Sequence, residues 1–502
     1  MFRFIKKSLC VFLTLCLIVC TLPLTCFAAG KTVAGYKNTT YSGTADAYEM
    51  VYGVKNHVSS YATTYKEAGQ VTKSDFYDKT KTIKYWAAHG TNAGNMWGTS
   101  NNVSINIFND YTNFSWAGGN LEFVFLAACK QLDGLGNNPR AEYARAMIGN
   151  NAVRTICGYH EAAPSGIDDD IARKFLEYAK TEESVKSSWI LANTYYANLG
   201  YSTKDYLVLT HSGAVQYSRF EGFSDTTYSR PNASSTTILR FSSTGSNTQP
   251  TKLSTTENIY GLVFPFDTQQ LKETNIPAAE LSATETKAAL TRSSTLKMID
   301  DGNATSTVIK EVGHTPTSLS ESDALQYAQK WFIDNFRNTP FSSTRSSNIT
   351  ITPIVMAEVN LDGGDEVESI IAYSVCQNNS FNGIPILGDH LNVIVDDEGA
   401  IYASVRWAEY SDVTNETLRT VRKNIAFADA AKLVHSFLNN SKRYQIFISD
   451  DSSAKDTIAI ERAELVYAYN SDTSTYQPCW RFVVDGYASI LVNCFTGNIM
   501  EM

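Results

Sequence analysis

Two short segments of the chain are almost wholly apolar, with Lys84 the one charged residue in them, while the sequence around them is mixed. Ile83–Ala88 and Phe123–Ala128 each have the length of one strand. Near-continuous apolar character of this kind suits strands covered on both faces of a parallel sheet. Asn151–Gly158, which carries Arg154 and Thr155, is read as the following core strand. Asp168, Asp169 and Asp170 lead into a helix over Ile171–Tyr178. From Ser224 to about Leu319 the chain turns rich in Ser and Thr, which predicts a linker followed by a small β-rich segment around Ile259–Phe266.

The remaining residues, 320–502, repeat one pattern twice. The first copy opens with Ser320 and Asp323 in capping-box spacing, with Leu325, Ala328, Trp331 and Phe332 at helical intervals. The second opens at Ala428 and Asp429 and places Ala431, Val434, Phe437 and Leu438 in the same way. Strands follow each helix, and each copy ends in a strand–Gly–strand pair at Gly399 and Gly497.

Charge and composition narrow the function. Arg3, Lys6 and Lys7 precede an apolar run from Leu9 to about Leu24, the pattern of an export signal cleaved before Ala29. No later segment has the apolar length of a membrane span and no C-terminal anchor is read, so a secreted, extracellular protein is expected. A net charge of −9 and no basic stripe argue against a nucleic-acid partner. Outside the signal stand five cysteines, Cys129, Cys157, Cys376, Cys479 and Cys494. Cys479 and Cys494 would lie opposite each other if their segment is a hairpin turning at Gly486 and Tyr487, which admits either a cross-strand disulfide or two reduced core cysteines. His57, His211, His314, His390 and His435 show no metal-ligand spacing, and neither metal nor cofactor is expected. Glu358–Glu366 imitates the start of a calcium loop but has Ser369 at the twelfth position, so a turn between two strands is expected there.

The chemistry sits at the ends of the first two strands. One ends in His89 and Gly90, the other in Cys129. In open α/β sheets reactive groups gather outside the carboxyl ends of the strands, so imidazole and thiol are expected at one edge of one crevice. A thiol attacks only once deprotonated, and a neighbouring histidine both favours the thiolate and returns a proton to the leaving amine. The oxyanion of the tetrahedral intermediate needs backbone N–H donors, for which Gly90 and Cys129 are the natural pair. Cys157 and His160 lie three apart on a strand, so they face opposite ways, and Cys157 is expected in the core. His160 and Glu161 are candidates for the rim of the site.

An apolar strand ending His-Gly, followed by one ending Ala-Cys, resembles the signature of clan CD cysteine peptidases, which include caspases, legumain, clostripain, gingipains and CHAT domains. The resemblance covers roughly residues 45–220, and Glu183–Asn193 resembles the closing helix of CHAT-like domains. It implies a Cys129–His89 dyad acting on a protein or peptide, and a carboxylate among Asp168, Asp169 and Asp170 facing a basic P1 side chain. An acidic helix N-terminus explains the same three residues without a substrate. Ala127 and Ala128 stand where clostripain-like enzymes carry an S1 acid, and Lys130 and Gln131 depart from the caspase pattern, so aspartate specificity is not implied. The repeated tail resembles PepSY-type modules, which implies an inhibitory or chaperoning role.

The expected architecture is α/β: a signal at 1–28, a caspase-like three-layer domain with a mostly parallel sheet at 31–222, a linker with a small β-rich segment at 223–319, and α+β PepSY-like repeats at 320–415 and 416–502. The expected function is a secreted cysteine endopeptidase restrained by its own C-terminal region. The alternative is an inactive caspase-like scaffold that binds at the cell surface.

Overall fold

The computed structural model describes residues 30–38, 45–90, 95–97, 104–106, 116, 119–132, 148, 153–160, 163–164, 166–181, 183–201, 203, 205–224, 237–243, 297–300, 305–335, 349–360, 367–381, 384–407, 425–442, 444–445, 460–470, 475–484 and 487–502. The export segment, Glu161, Ile259–Phe266 and the calcium-loop-like turn at 361–366 lie outside the described residues.

Strand β1 (Thr32–Lys37) leads to helix α1 (Asp46–His57), β2 (Ala62–Lys66), the short α2 (Lys73–Tyr77) and β3 (Ile83–Ala87). A two-residue β4 (His89–Gly90) then pairs with β5 (Asn95–Trp97), which pairs with β6 (Ser104–Asn106). β7 (Phe123–Ala127), β8 (Thr155–Tyr159), α3 (Asp168–Lys180), α4 (Val185–Asn198) and β9 (Tyr206–His211) follow. The order β2-β1-β3-β7-β8 is parallel throughout, and β9 closes it antiparallel to β8.

Alternation along these strands divides two cores. Tyr85 and Phe125 stack on the face covered by α1, α3 and α4, where they meet Val51, Phe175 and Trp189. Trp86, Val124 and Leu126 face the other way, toward Phe76 and Trp116. Lys84 interrupts the apolar run of β3 yet is fully buried, because its ammonium donates to the carbonyls of Phe76 (2.5 Å) and Asp78 (2.6 Å) beside the Trp116 ring. Burial still lowers its pKa to about 7, the nearby Asp78 and Asp75 carboxylates opposing that shift.

The Ser/Thr-rich region contains more than a connector. Thr237–Ser242 forms β10, which pairs antiparallel with β9 on one side and with β13 (Ile349–Asn360) on the other. β11 (Lys297–Asp300) and β12 (Thr305–Val308) form a hairpin that adds to β16 (Gly399–Arg406). The N-terminal unit and the first repeat are therefore parts of one sheet, parallel through its N-terminal half and antiparallel through its C-terminal half. The expected mostly parallel sheet holds as far as β8 and ends there. The molecule is mixed α/β.

Each repeat is a helix followed by four antiparallel strands. In the first, α5 (Glu321–Asn335) precedes β13, β14 (Val367–Phe381), β15 (Ile384–Asp396) and β16. Its N-terminus carries the expected reciprocal cap: Asp323 N–H donates to the Ser320 hydroxyl (3.2 Å), and Ser320 N–H to the Asp323 carboxylate (3.0 Å). Ala324, Ala328 and Phe332 pack on Val375, Leu391 and Val393. In the second, α6 (Phe427–Asn440) lays Ala431, Val434 and Leu438 on β17 (Ile460–Asn470), β18 (Thr475–Val484) and β19 (Ala488–Asn493), with β20 (Ile499–Glu501) at the edge. A parallel contact, Ile386 with Tyr467, joins the repeats.

The hairpin of β18 and β19 corrects one expectation. Cys479 stands opposite Asn493, not Cys494, and Cys494 N–H bonds the carbonyl of Pro478. A one-residue shift of register turns a side chain to the other face, so the two thiols enter different cores. No disulfide forms among the described cysteines.

A carboxylate seals the N-terminal unit to the segment after β12. Glu311 accepts from Ser184 N–H (2.7 Å), the Ser184 hydroxyl (2.7 Å), the Ser187 hydroxyl and Arg219 (3.0 Å) at the head of α4. Truncation leaves several buried donors without an acceptor, so Glu311→Ala is expected to lower stability by about 2–3 kcal/mol. Thermal denaturation followed by circular dichroism checks this.

Candidate functional site

β3 and β7 run parallel with Ala87 beside Ala127, and Ala88 N–H continues the ladder to the Ala127 carbonyl (3.2 Å). His89 and Cys129 therefore leave neighbouring strands at the same level, each two residues past that pair. Both side chains are half-buried.

The backbone around Cys129 is tightly fixed. Lys130 is the one non-glycine residue with a left-handed φ (58°) among the described residues, which turns the chain sharply after Cys129. Gln131, fully buried, donates its side-chain amide to the Cys129 carbonyl (2.8 Å), and Leu132 N–H bonds the Tyr159 carbonyl (3.3 Å) at the end of β8. Gly90 presses on the same carbonyl: a Cβ there would lie 1.9 Å from the Cys129 oxygen. Its glycine identity is thus required by close approach to the cysteine. The sulfur accepts a hydrogen bond from Ala163 N–H (3.3 Å), in the loop between β8 and α3.

Carboxylates from the heads of α1 and α3 gather at this edge of the sheet. Asp168 heads α3 and acts on the buried hydroxyls of Tyr85 and Tyr159, whose pKa values stand well above the usual range, chiefly through burial. Asp169 and Asp170 pair with Arg173, at 3.1 Å for Asp169. Arg173 also reaches Glu49 (3.0 Å). Asp46, to which the sequence pattern assigns no role, is 1 % exposed at the head of α1. Burial pushes its carboxyl up to about 6, with the Asp169 charge adding to the shift and the Ala47 N–H and Tyr85 hydroxyl opposing it.

The folded state therefore holds the Asp46 proton to higher pH than the unfolded chain does. Stability falls as pH climbs from about 4 to about 6 and stays lower above that. Asp46→Asn is expected to raise stability at pH 7.5 by on the order of 2 kcal/mol, with the gain vanishing below pH 4. Denaturant titrations at the two pH values measure it.

The other candidates separate. His160 sits 3.7 Å from Asp205, and its N–H bonds the Asp205 carbonyl (3.1 Å). Cys157 is fully buried in the helix-side core, and burial pushes its thiol far up. Among the described residues no cluster of His, Cys, Asp and Glu could hold a metal ion.

Sequence reasoning did not foresee what lies over the cysteine. Cys129 packs against the apolar core formed by Ile384, Ile386 and the second repeat, which includes Phe427, Tyr467 and Trp480. Both repeats also meet the N-terminal unit at Gly200 after α4: Arg481 of the second donates to its carbonyl (2.8 Å), and Leu387 of the first lies against it. Among the described residues no helix is long and apolar enough to cross a membrane.

Nothing among curated proteins matches the chain. Among solved structures it is similar to an uncharacterized protein from Eubacterium rectale ATCC 33656, with 12% identity over 46% of this chain and 86% of that one and a TM-score of 0.26. Residues 25–234, which contain His89, Cys129 and Asp168, match the model of a domain family described as a domain of unknown function, DUF6345.

Proposed function

We propose that this chain is an exported cysteine peptidase of caspase-like fold whose activity is restrained, not abolished, by its C-terminal repeats. The observation that carries the reading is the level exit of His89 and Cys129 from adjacent parallel strands, with Gly90 pressed against the cysteine's carbonyl. In this reading His89 takes the thiol proton and the Cys129 sulfur attacks a peptide carbonyl carbon. The C–N bond breaks, His89 protonates the departing amine, and a thioester remains. Water, deprotonated by His89, then attacks the thioester, releasing the acid and restoring the thiol. Backbone N–H groups of Gly90 and Cys129 would receive the oxyanion in both halves. In this reading Asp168 or Asp169, at the head of α3, is the carboxylate offered to a basic P1 side chain. Export rests on Arg3, Lys6, Lys7 and the apolar run that follows them.

The restraint rests on the packing of Cys129 against the core shared by β15 and the second repeat. The same contact supports a second reading, in which the covered cysteine is inert and the chain is a binding scaffold. A peptide-library cleavage profile separates the two. The peptidase reading expects turnover that Cys129→Ala and His89→Ala each reduce by at least a thousandfold. Turnover equal in wild type and Cys129→Ala would end it.

A further inference from the structure

We propose that the backbone N–H of Ala163 is a catalytic group of this site, a fixed donor that holds the Cys129 sulfur as thiolate. This deepens the peptidase reading and rests on it. The Ala163 nitrogen lies 3.3 Å from Sγ, the direct polar contact the structure gives the sulfur from the loop between β8 and α3. Two features fix that donor. Pro164 confines Ala163 to extended backbone, and the Ala163 side chain packs against the core beneath α1, α3 and α4. On the other side the sulfur is fixed by the left-handed turn at Lys130 and by Gln131 on the Cys129 carbonyl.

A neutral thiol is a weak acceptor and a thiolate a strong one, so a donor held in place favours ionisation. The site has need of it. Asp46 at the head of α1 and Asp168 and Asp169 at the head of α3 put negative charge at this edge, which opposes a thiolate. Tyr85 and Tyr159, on the same edge, add no positive charge. A backbone donor supplies the missing stabilisation without adding a side chain where substrate must lie.

The test is the pH dependence of Cys129 alkylation by iodoacetamide in the full chain, read at the Cys129 peptide by mass spectrometry. Ala163→Pro removes the donor and Ala163→Gly keeps it. The expected result is a midpoint raised by about one pH unit in Ala163→Pro, roughly a tenfold slower reaction below both midpoints, with Ala163→Gly unmoved. An unmoved midpoint in folded Ala163→Pro overturns the proposal. Where Ala163→Pro does not fold, the amide proton of Ala163 is followed in 15N-alanine-labelled protein. Its shift should step with the Cys129 titration and lose that step in Cys129→Ala; absence of the step in wild type overturns the proposal. Failure of the peptidase reading is distinguishable, because it appears as absent peptide turnover whatever the alkylation midpoint.

Discussion

Gly90→Ala should abolish measurable peptide turnover and lower the melting temperature in the same protein. The added methyl would meet the Cys129 carbonyl oxygen at 1.9 Å, the Gln131 side-chain nitrogen at 2.6 Å and the Cys129 carbonyl carbon at 2.8 Å. Two of these atoms are backbone of the strand exit that positions the sulfur, so relief requires moving either β4 or the Cys129 turn. Overpacking at such a contact costs about 1–3 kcal/mol or more. Displacing the nucleophile from its base by even an ångström costs on the order of a hundredfold in rate. The expected combination is a folded but less stable protein with at least a hundredfold less activity. Wild-type turnover in Gly90→Ala would show that the close approach is irrelevant to the chemistry. Differential scanning calorimetry beside the cleavage assay supplies both numbers.

The second large effect concerns this restraint. Arg481 ties β18 to the end of α4 through the Gly200 carbonyl, and its guanidinium also bonds Glu464 and Ser489. A hydrogen bond from a charged group is worth about 1.5–3 kcal/mol. Arg481→Ala should therefore raise the population in which the second repeat is lifted from Cys129 by roughly tenfold or more. Labelling of Cys129 by a bulky maleimide should rise in proportion, while Cys157, buried in the other unit, stays unreactive. A labelling rate equal to wild type in folded Arg481→Ala would mean that the second repeat does not guard the thiol.

What the sequence made legible follows from how local each feature is. β3 and β7 are readable because strands buried on both faces are apolar at nearly every position, Lys84 being the exception in β3, and the His-Gly and Ala-Cys endings follow directly from those runs. Ser320 and Asp323 are readable because a helix cap is a contact over three residues. β10 is not, since Ile238–Phe241 is too short to stand out among serines and threonines, and its partners β9 and β13 come from different parts of the chain. The Cys479–Cys494 relation depends on hairpin register, and a single residue decides which face each thiol meets. Asp46, Ala163 and the apolar cover over Cys129 are legible only in three dimensions. A helix-start acid, a loop alanine and a core of a distant repeat carry no mark in sequence of the cysteine they approach.

The measurement closest to the central claim is covalent capture by a peptidyl acyloxymethyl ketone carrying a basic P1 residue, applied to wild type, Cys129→Ala and His89→Ala and read by intact-protein mass. A single adduct on wild type at Cys129, none on Cys129→Ala and at least a hundredfold slower capture by His89→Ala is the expected outcome. Adducts of equal extent on wild type and Cys129→Ala, or a wild-type rate in His89→Ala, would contradict it.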